Sequence, residues 1–79
     1  MSTINLLEQS VRDNLERYFD DLGESQPHDI LAMVVQCVER PVLEVALQKS
    51  HGNQSRAAEI LGITRSTLRK KLQAHNIQP

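Results

Sequence analysis

An all-α fold of four helices is what this sequence predicts, and three observations carry it. Apolar residues recur at spacings of three and four rather than two. Only three Gly and three Pro punctuate 79 residues, too few for the turns of a many-stranded sheet. Those interruptions divide the chain into two long and two short helical segments. The composition, 39% hydrophobic and 24% charged, is that of a folded soluble protein. A chain this short forms a single domain, 1–79, whose one core barely outweighs chain entropy, so self-association is expected to contribute.

The first helix follows from Leu7, Val11, Leu15, Tyr18, Phe19 and Leu22, which fall on one stripe, while Arg12, Asp13, Glu16, Arg17 and Asp20 face water. It should stop near Gly23, which can take the left-handed conformation of a helix end. "GESQP" is the first loop, and Pro27 suits the start of the next helix but not its interior.

The second segment, from Asp29 to about Ser50, is the most hydrophobic. Ile30, Leu31, Met33, Val34, Val35, Cys37 and Val38 cover more than one stripe, more than an outer helix of a 79-residue monomer could bury. A central helix with a second chain on its other face could bury them. The β-branched run "MVV" makes a strand a competitor. A strand leaves Pro41 and the helical pattern of Val42, Val45 and Ala46 unexplained. One long helix bent at Pro41 is preferred, because the ring obstructs the carbonyl four residues back and removes a hydrogen bond.

"HGNQ" is the second loop, with Gly52 ending the long helix and Asn53 capping the next. "QSRAAEIL" and "RSTLRKKLQAH" then form two short helices joined by "GIT".

Charge divides the chain where the helices do. Residues 1–48 set three arginines against nine carboxylates, a net of −6, and residues 49–79 set six basic residues against Glu59 alone, a net of +5. Such asymmetry suggests an acidic body with a basic working end, although a lysine-rich outer face needs no ligand.

Other chemistries find little support. Cys37, the only cysteine, permits no intrachain disulfide or multi-cysteine metal site, and its apolar surroundings "MVVQCVE" imply a buried thiol. His28, His51 and His75 lack the short spacings of a ligand set, so no metal or cofactor is expected. No nucleophile-base pair or phosphate loop is visible, which argues against an enzyme or a small-molecule substrate. "MSTINLLEQSVRD" lacks the basic region of a signal peptide and no segment is long and apolar enough for a membrane span, so a cytoplasmic location is expected and "NQS" at Asn53 is no glycosylation site.

The last third fits a helix-turn-helix, over about 53–75. That motif needs small residues where two helices cross, a residue allowing a tight turn, and an apolar plug after it. "AAEILGITRSTLRKKL" supplies Ala57 and Ala58, then Gly62, then Ile63, with Leu61, Leu68 and Leu72 for a shared core and Thr64 as N-cap.

In this geometry the second helix enters the major groove of double-stranded DNA, its first residues nearest the base edges. Arg65 holds that place and can donate two hydrogen bonds to a guanine; Arg69 lies one turn along the same face. Thr64, Ser66 and Thr67 are short enough to reach phosphates or bases. Lys70 suits phosphates, as do Asn53, Ser55 and Arg56 at the amino end of the preceding helix. Bland roles compete: Thr64 as a cap alone, Arg56 paired with Glu59 or another carboxylate, Lys71 covering apolar surface with its stem. Arg65 and Arg69 have no acidic partner four residues away.

"GNQSRAAEILGITRSTLRKKL" resembles the C-terminal signature of the Fis family, and "SVRDNLERYF" with "VERPVLEVALQ" is similar to its upstream helices in the same order. The resemblance spans about Ser10 to Ile77. It implies an intertwined homodimer of four-helix subunits with a C-terminal helix-turn-helix. The resemblance assigns residues from about 5 to 50 to dimerisation, and it implies recognition helices that lie closer together than successive major grooves, so that bound DNA is bent. It implies a nucleoid-associated protein of bacteria that regulates transcription and recombination. By position, Asn53, Ser55, Arg56, Thr64, Arg65, Thr67, Arg69 and Lys70 match the family's DNA-contacting places. Gln73 and Ala74 stand where members often carry further lysines, which implies fewer flanking phosphate contacts. Few residues precede the first helix, so the mobile arm of invertase-stimulating members is not expected. The competing class is a dimeric module that docks acidic protein surfaces without DNA.

Overall fold

The computed structural model describes residues 2–78; Met1 and Pro79, the ends of the expected 1–79 domain, lie outside the described residues. The described residues form four helices and no strand: α1 (Thr3–Leu22), α2 (Ile30–Lys49), α3 (Gln54–Leu61) and α4 (Arg65–Ala74). They fall into two compact units, Met1–Ile30 and Leu31–Pro79.

The first unit is built on α1. Ser2 caps it, its hydroxyl accepting from the Asn5 amide at 3.2 Å, which satisfies one of the donors a helix start leaves unpaired. Gly23 ends it at φ 62°, and its N–H donates to the Asp20 carbonyl. The helix buries no residue. Its stripe is nonetheless present, with Leu7 61%, Val11 40% and Phe19 43% exposed. An amphipathic helix of this kind gains little stability until that stripe is covered.

Pro27 lies in the loop three residues before α2, rather than at its first position as the sequence suggested. The helix instead begins after Asp29, which takes a positive φ of 54°. The helix is continuous through Pro41, whose nitrogen cannot donate to the Cys37 carbonyl one turn back.

The second unit holds the only hydrophobic core among the described residues. Leu43, Ala46 and Leu47, at i, i+3 and i+4 of α2, join Ala57 and Ala58 of α3 and Leu68 and Leu72 of α4. Leu61, Ile63 and Ile77 pack against this cluster. The stripe comes from the C-terminal half of α2 alone; Leu31, Val35, Val38, Val42 and Val45 remain exposed. Cys37 is also exposed, against the buried thiol expected from its apolar neighbours. Six residues before Leu43, it sits roughly 120° around the helix from the buried stripe, on a face nothing in its own unit covers.

Gly52 closes α2, its N–H donating to the Leu47 carbonyl at 2.9 Å with φ 82°. Gly62 does the same for α3 in the left-handed conformation, its N–H meeting the carbonyls of Ala58 and Glu59. An L side chain at that φ would be strained, which is why glycine stands at the turn. Ile63 then donates its N–H to the Ala58 carbonyl at 3.0 Å and drops its side chain against the core as the plug.

Candidate nucleic-acid interface

The turn fixes where α4 starts. Thr64 is its N-cap: the hydroxyl oxygen accepts from the Thr67 amide at 3.1 Å and donates to the Thr67 hydroxyl at 2.9 Å. Leu68 and Leu72, one turn apart, are buried at 0% and 3% exposure, so one face of α4 is committed to the core. The face beside it is presented outward. Arg65, Ser66, Arg69, Lys70 and Gln73 line one shallow, open depression along it.

The cationic groups of that face have no carboxylate within ion-pair distance among the described residues, and neither does Arg56. The pairing of Arg56 with Glu59, weighed from the sequence, is therefore not made. Three cations packed into two turns repel one another, and an anion is what such a face lacks.

A second donor group lies at the start of α3. Asn53 caps that helix, its side-chain oxygen accepting from the Arg56 amide at 3.1 Å, and Ser55 and Arg56 are exposed beside it. Backbone N–H groups at a helix start favour an anion. Of the eight residues singled out from the sequence, Asn53, Ser55 and Arg56 thus gather at the start of α3. Thr64, Arg65, Thr67, Arg69 and Lys70 gather on α4. Thr67 is half-buried and the other seven are exposed.

Sequence reasoning missed a cluster at the far end of α4. Both oxygens of the Glu39 carboxylate are engaged: Lys71 Nζ lies 2.9 Å from Oε2, and His75 Nε2 lies 2.9 Å from Oε1. The Arg40 guanidinium donates to the His75 backbone carbonyl and approaches Glu44 at 3.7 Å. The partners are 32 and 36 residues apart in sequence, so no local pattern marks them. Only the i, i+4 spacing of Lys71 and His75 hints that they share a face.

The hydrogen bond from Lys71, and then that from His75, hold the Glu39 carboxyl below its usual 4.5, against the opposing effect of burial. A depressed carboxyl contributes stability that is fully present above about 4.5 and is lost as the pH falls through the lowered folded value. Thermal unfolding followed from pH 7 into acid should therefore show a shallower acid decline for Glu39→Gln than for the wild type. Parallel declines would mean that ionisation of Glu39 does not contribute to folding.

A small-residue crossing, a glycine turn, an apolar plug and an outward basic helix define a helix-turn-helix protein. Comparison with known proteins agrees: residues 35–75 match the model of the family described as "Bacterial regulatory protein, Fis family". A Fis-like protein of Ralstonia nicotianae is 47% identical over 73 residues, covering 92% of this chain and 95% of that protein. A Fis-like protein of Neisseria meningitidis serogroup A is 43% identical over 75 residues, covering 95% of each. "DNA-binding protein Fis" of Proteus mirabilis is 41% identical over 71 residues, covering 90% of this chain and 72% of that protein. The chain belongs to the Fis family.

Proposed function

We propose that this protein is a homodimer that binds and bends double-stranded DNA, and that it serves at the bacterial nucleoid, in the cytoplasm, as a regulator of transcription and recombination rather than as an enzyme. The observation that carries the reading is the outward face of α4. There Arg65, Arg69 and Lys70 stand without carboxylate partners among the described residues, on a helix anchored to the core by Leu68 and Leu72. The names of its Fis relatives support DNA as the partner. Residues 53–75 form the DNA-binding helix-turn-helix, and residues from about 5 to 50 form the dimerisation helices, with α2 bent at Pro41.

Arg65 and Arg69 read base edges in the major groove. Lys70, Arg56, Ser55, Asn53 and the hydroxyls of Thr64 and Thr67 hold phosphates or the groove rim. Dimerisation is supported by the apolar surface that each unit leaves uncovered: Leu7, Val11 and Phe19 on α1, and Leu31, Val35 and Val38 on α2. A partner chain intertwined through these helices removes that surface from water. Two recognition helices then engage one duplex, and deformable TA or CA steps between them lower the cost of bending.

Phosphate contacts release counterions, so affinity depends steeply on salt. A dimer making six or more such contacts should lose roughly a thousandfold in duplex affinity between about 50 and 200 mM salt. Titration of a labelled duplex across that range tests the proposal. An affinity that hardly changes would contradict it.

A further inference from the structure

The cluster at the end of α4 is the part of the molecule that the DNA reading leaves without a role. Lys70 and Lys71 are neighbours in sequence, yet their charges are used differently. Lys70 is exposed on the outward face, beside Arg69 and Gln73. The Lys71 ammonium is turned to α2, 2.9 Å from Glu39, with side chains only 37% and 25% exposed. The other oxygen of the same carboxylate meets His75, whose side chain is 8% exposed. The next residue of α2, Arg40, donates to the His75 backbone carbonyl, where α4 ends.

Two successive residues of α2 thus grip the C-terminal end of α4, while Thr64 fixes its start. A half-exposed ion pair adds little by itself. Here one carboxylate takes a partner on each oxygen, one turn apart on α4, so rotation of the helix about its axis would break both contacts together.

We propose that Glu39 is a positioning residue of the DNA-binding surface: it withholds the Lys71 ammonium from the phosphates and sets the rotation of α4, so that Lys70 rather than Lys71 engages the backbone. This rests on the reading that α4 faces DNA. The number of phosphates neutralised per subunit is then set by a carboxylate that never touches the duplex.

The consequence is measurable in the salt dependence of binding to a mixed-sequence duplex, with the full chain. Lys70→Ala should reduce the slope of log affinity against log salt by about 0.9 per subunit. Lys71→Ala should leave it at the wild-type value. Glu39→Gln, which frees Lys71, should steepen it by about 0.9 per subunit, and adding Lys71→Ala to Glu39→Gln should restore it. A merely structural role for Glu39 would not produce a steeper slope that depends on Lys71. Lys71→Ala reducing the slope as much as Lys70→Ala overturns the inference alone, as does a Glu39→Gln slope equal to wild type. A Lys70→Ala slope equal to wild type also overturns the inference alone; if Arg65→Ala and Arg69→Ala, too, leave the slope unchanged, the DNA-facing reading of α4 falls and the inference falls with it. Should Glu39→Gln not fold, the comparison of Lys70→Ala with Lys71→Ala still decides.

Discussion

Arg65→Ala is expected to weaken specific duplex binding, and the bending that accompanies it, by more than an order of magnitude while leaving the oligomeric state and the fold intact. Arg65 is the first residue of α4, exposed, and without a carboxylate partner among the described residues, so its removal leaves none of their buried groups unsatisfied. A bidentate arginine–guanine contact contributes about 1–3 kcal/mol of discrimination. In the proposed dimer two copies bring this to about 2–6 kcal/mol, which corresponds to a loss of roughly 30-fold to 20,000-fold in affinity for a preferred site. Electrophoretic shift and bend measurements, with sedimentation to confirm the dimer, check it. Normal duplex binding by Arg65→Ala would count against α4 as the recognition helix, whereas a wild-type chain that shifts no duplex would favour a module that docks acidic proteins without DNA.

Leu68→Ala should have the largest effect on folding. Leu68 is fully buried, at 0% exposure, in a core of seven buried apolar residues shared by three helices. Truncating such a leucine typically costs about 2–5 kcal/mol, because the transfer energy of the lost carbons is joined by the cavity they leave. The whole stability of a small domain is only about 5–15 kcal/mol. For a domain of this size each kcal/mol moves the thermal midpoint by about 4–8 °C, so a drop of at least about 8 °C is expected. Arg69→Ala, the next residue on α4 but exposed, supplies the control, with a midpoint close to wild type. A Leu68→Ala midpoint equal to that control would mean the core is not organised around α4.

Much of this architecture is legible in the sequence because the signals are local. Asn53, Gly62 and Thr64 announce the ends of α3 and α4 by the conformations and hydrogen bonds that only a few residue types provide. Ala57, Ala58, Leu68 and Leu72 announce a crossing of two helices by size and spacing. The Fis signature rests on those same residues, and the family match over residues 35–75 covers them.

What is not legible depends on contacts distant in sequence or on which face of a helix its own unit leaves uncovered. Cys37 sits in an apolar run, and the sequence gives no sign of which side of α2 its own unit buries; the stripe through Leu43 and Leu47 leaves it exposed. Lys71 was ambiguous because its partner is 32 residues away. Glu39 carries no mark of its own, being one carboxylate among ten acidic residues. Pro27 illustrates a milder limit: proline disfavours helix before it but does not say how many residues later the helix starts.

The central claim is that α4 and the start of α3 form the surface that meets DNA. Amide chemical shifts recorded while a duplex is titrated into the labelled protein test it most directly. The predicted result is a set of perturbations concentrated at residues 53–56 and 64–70, with residues 3–22 unchanged. Perturbations confined to α1, with residues 64–70 silent, would contradict it.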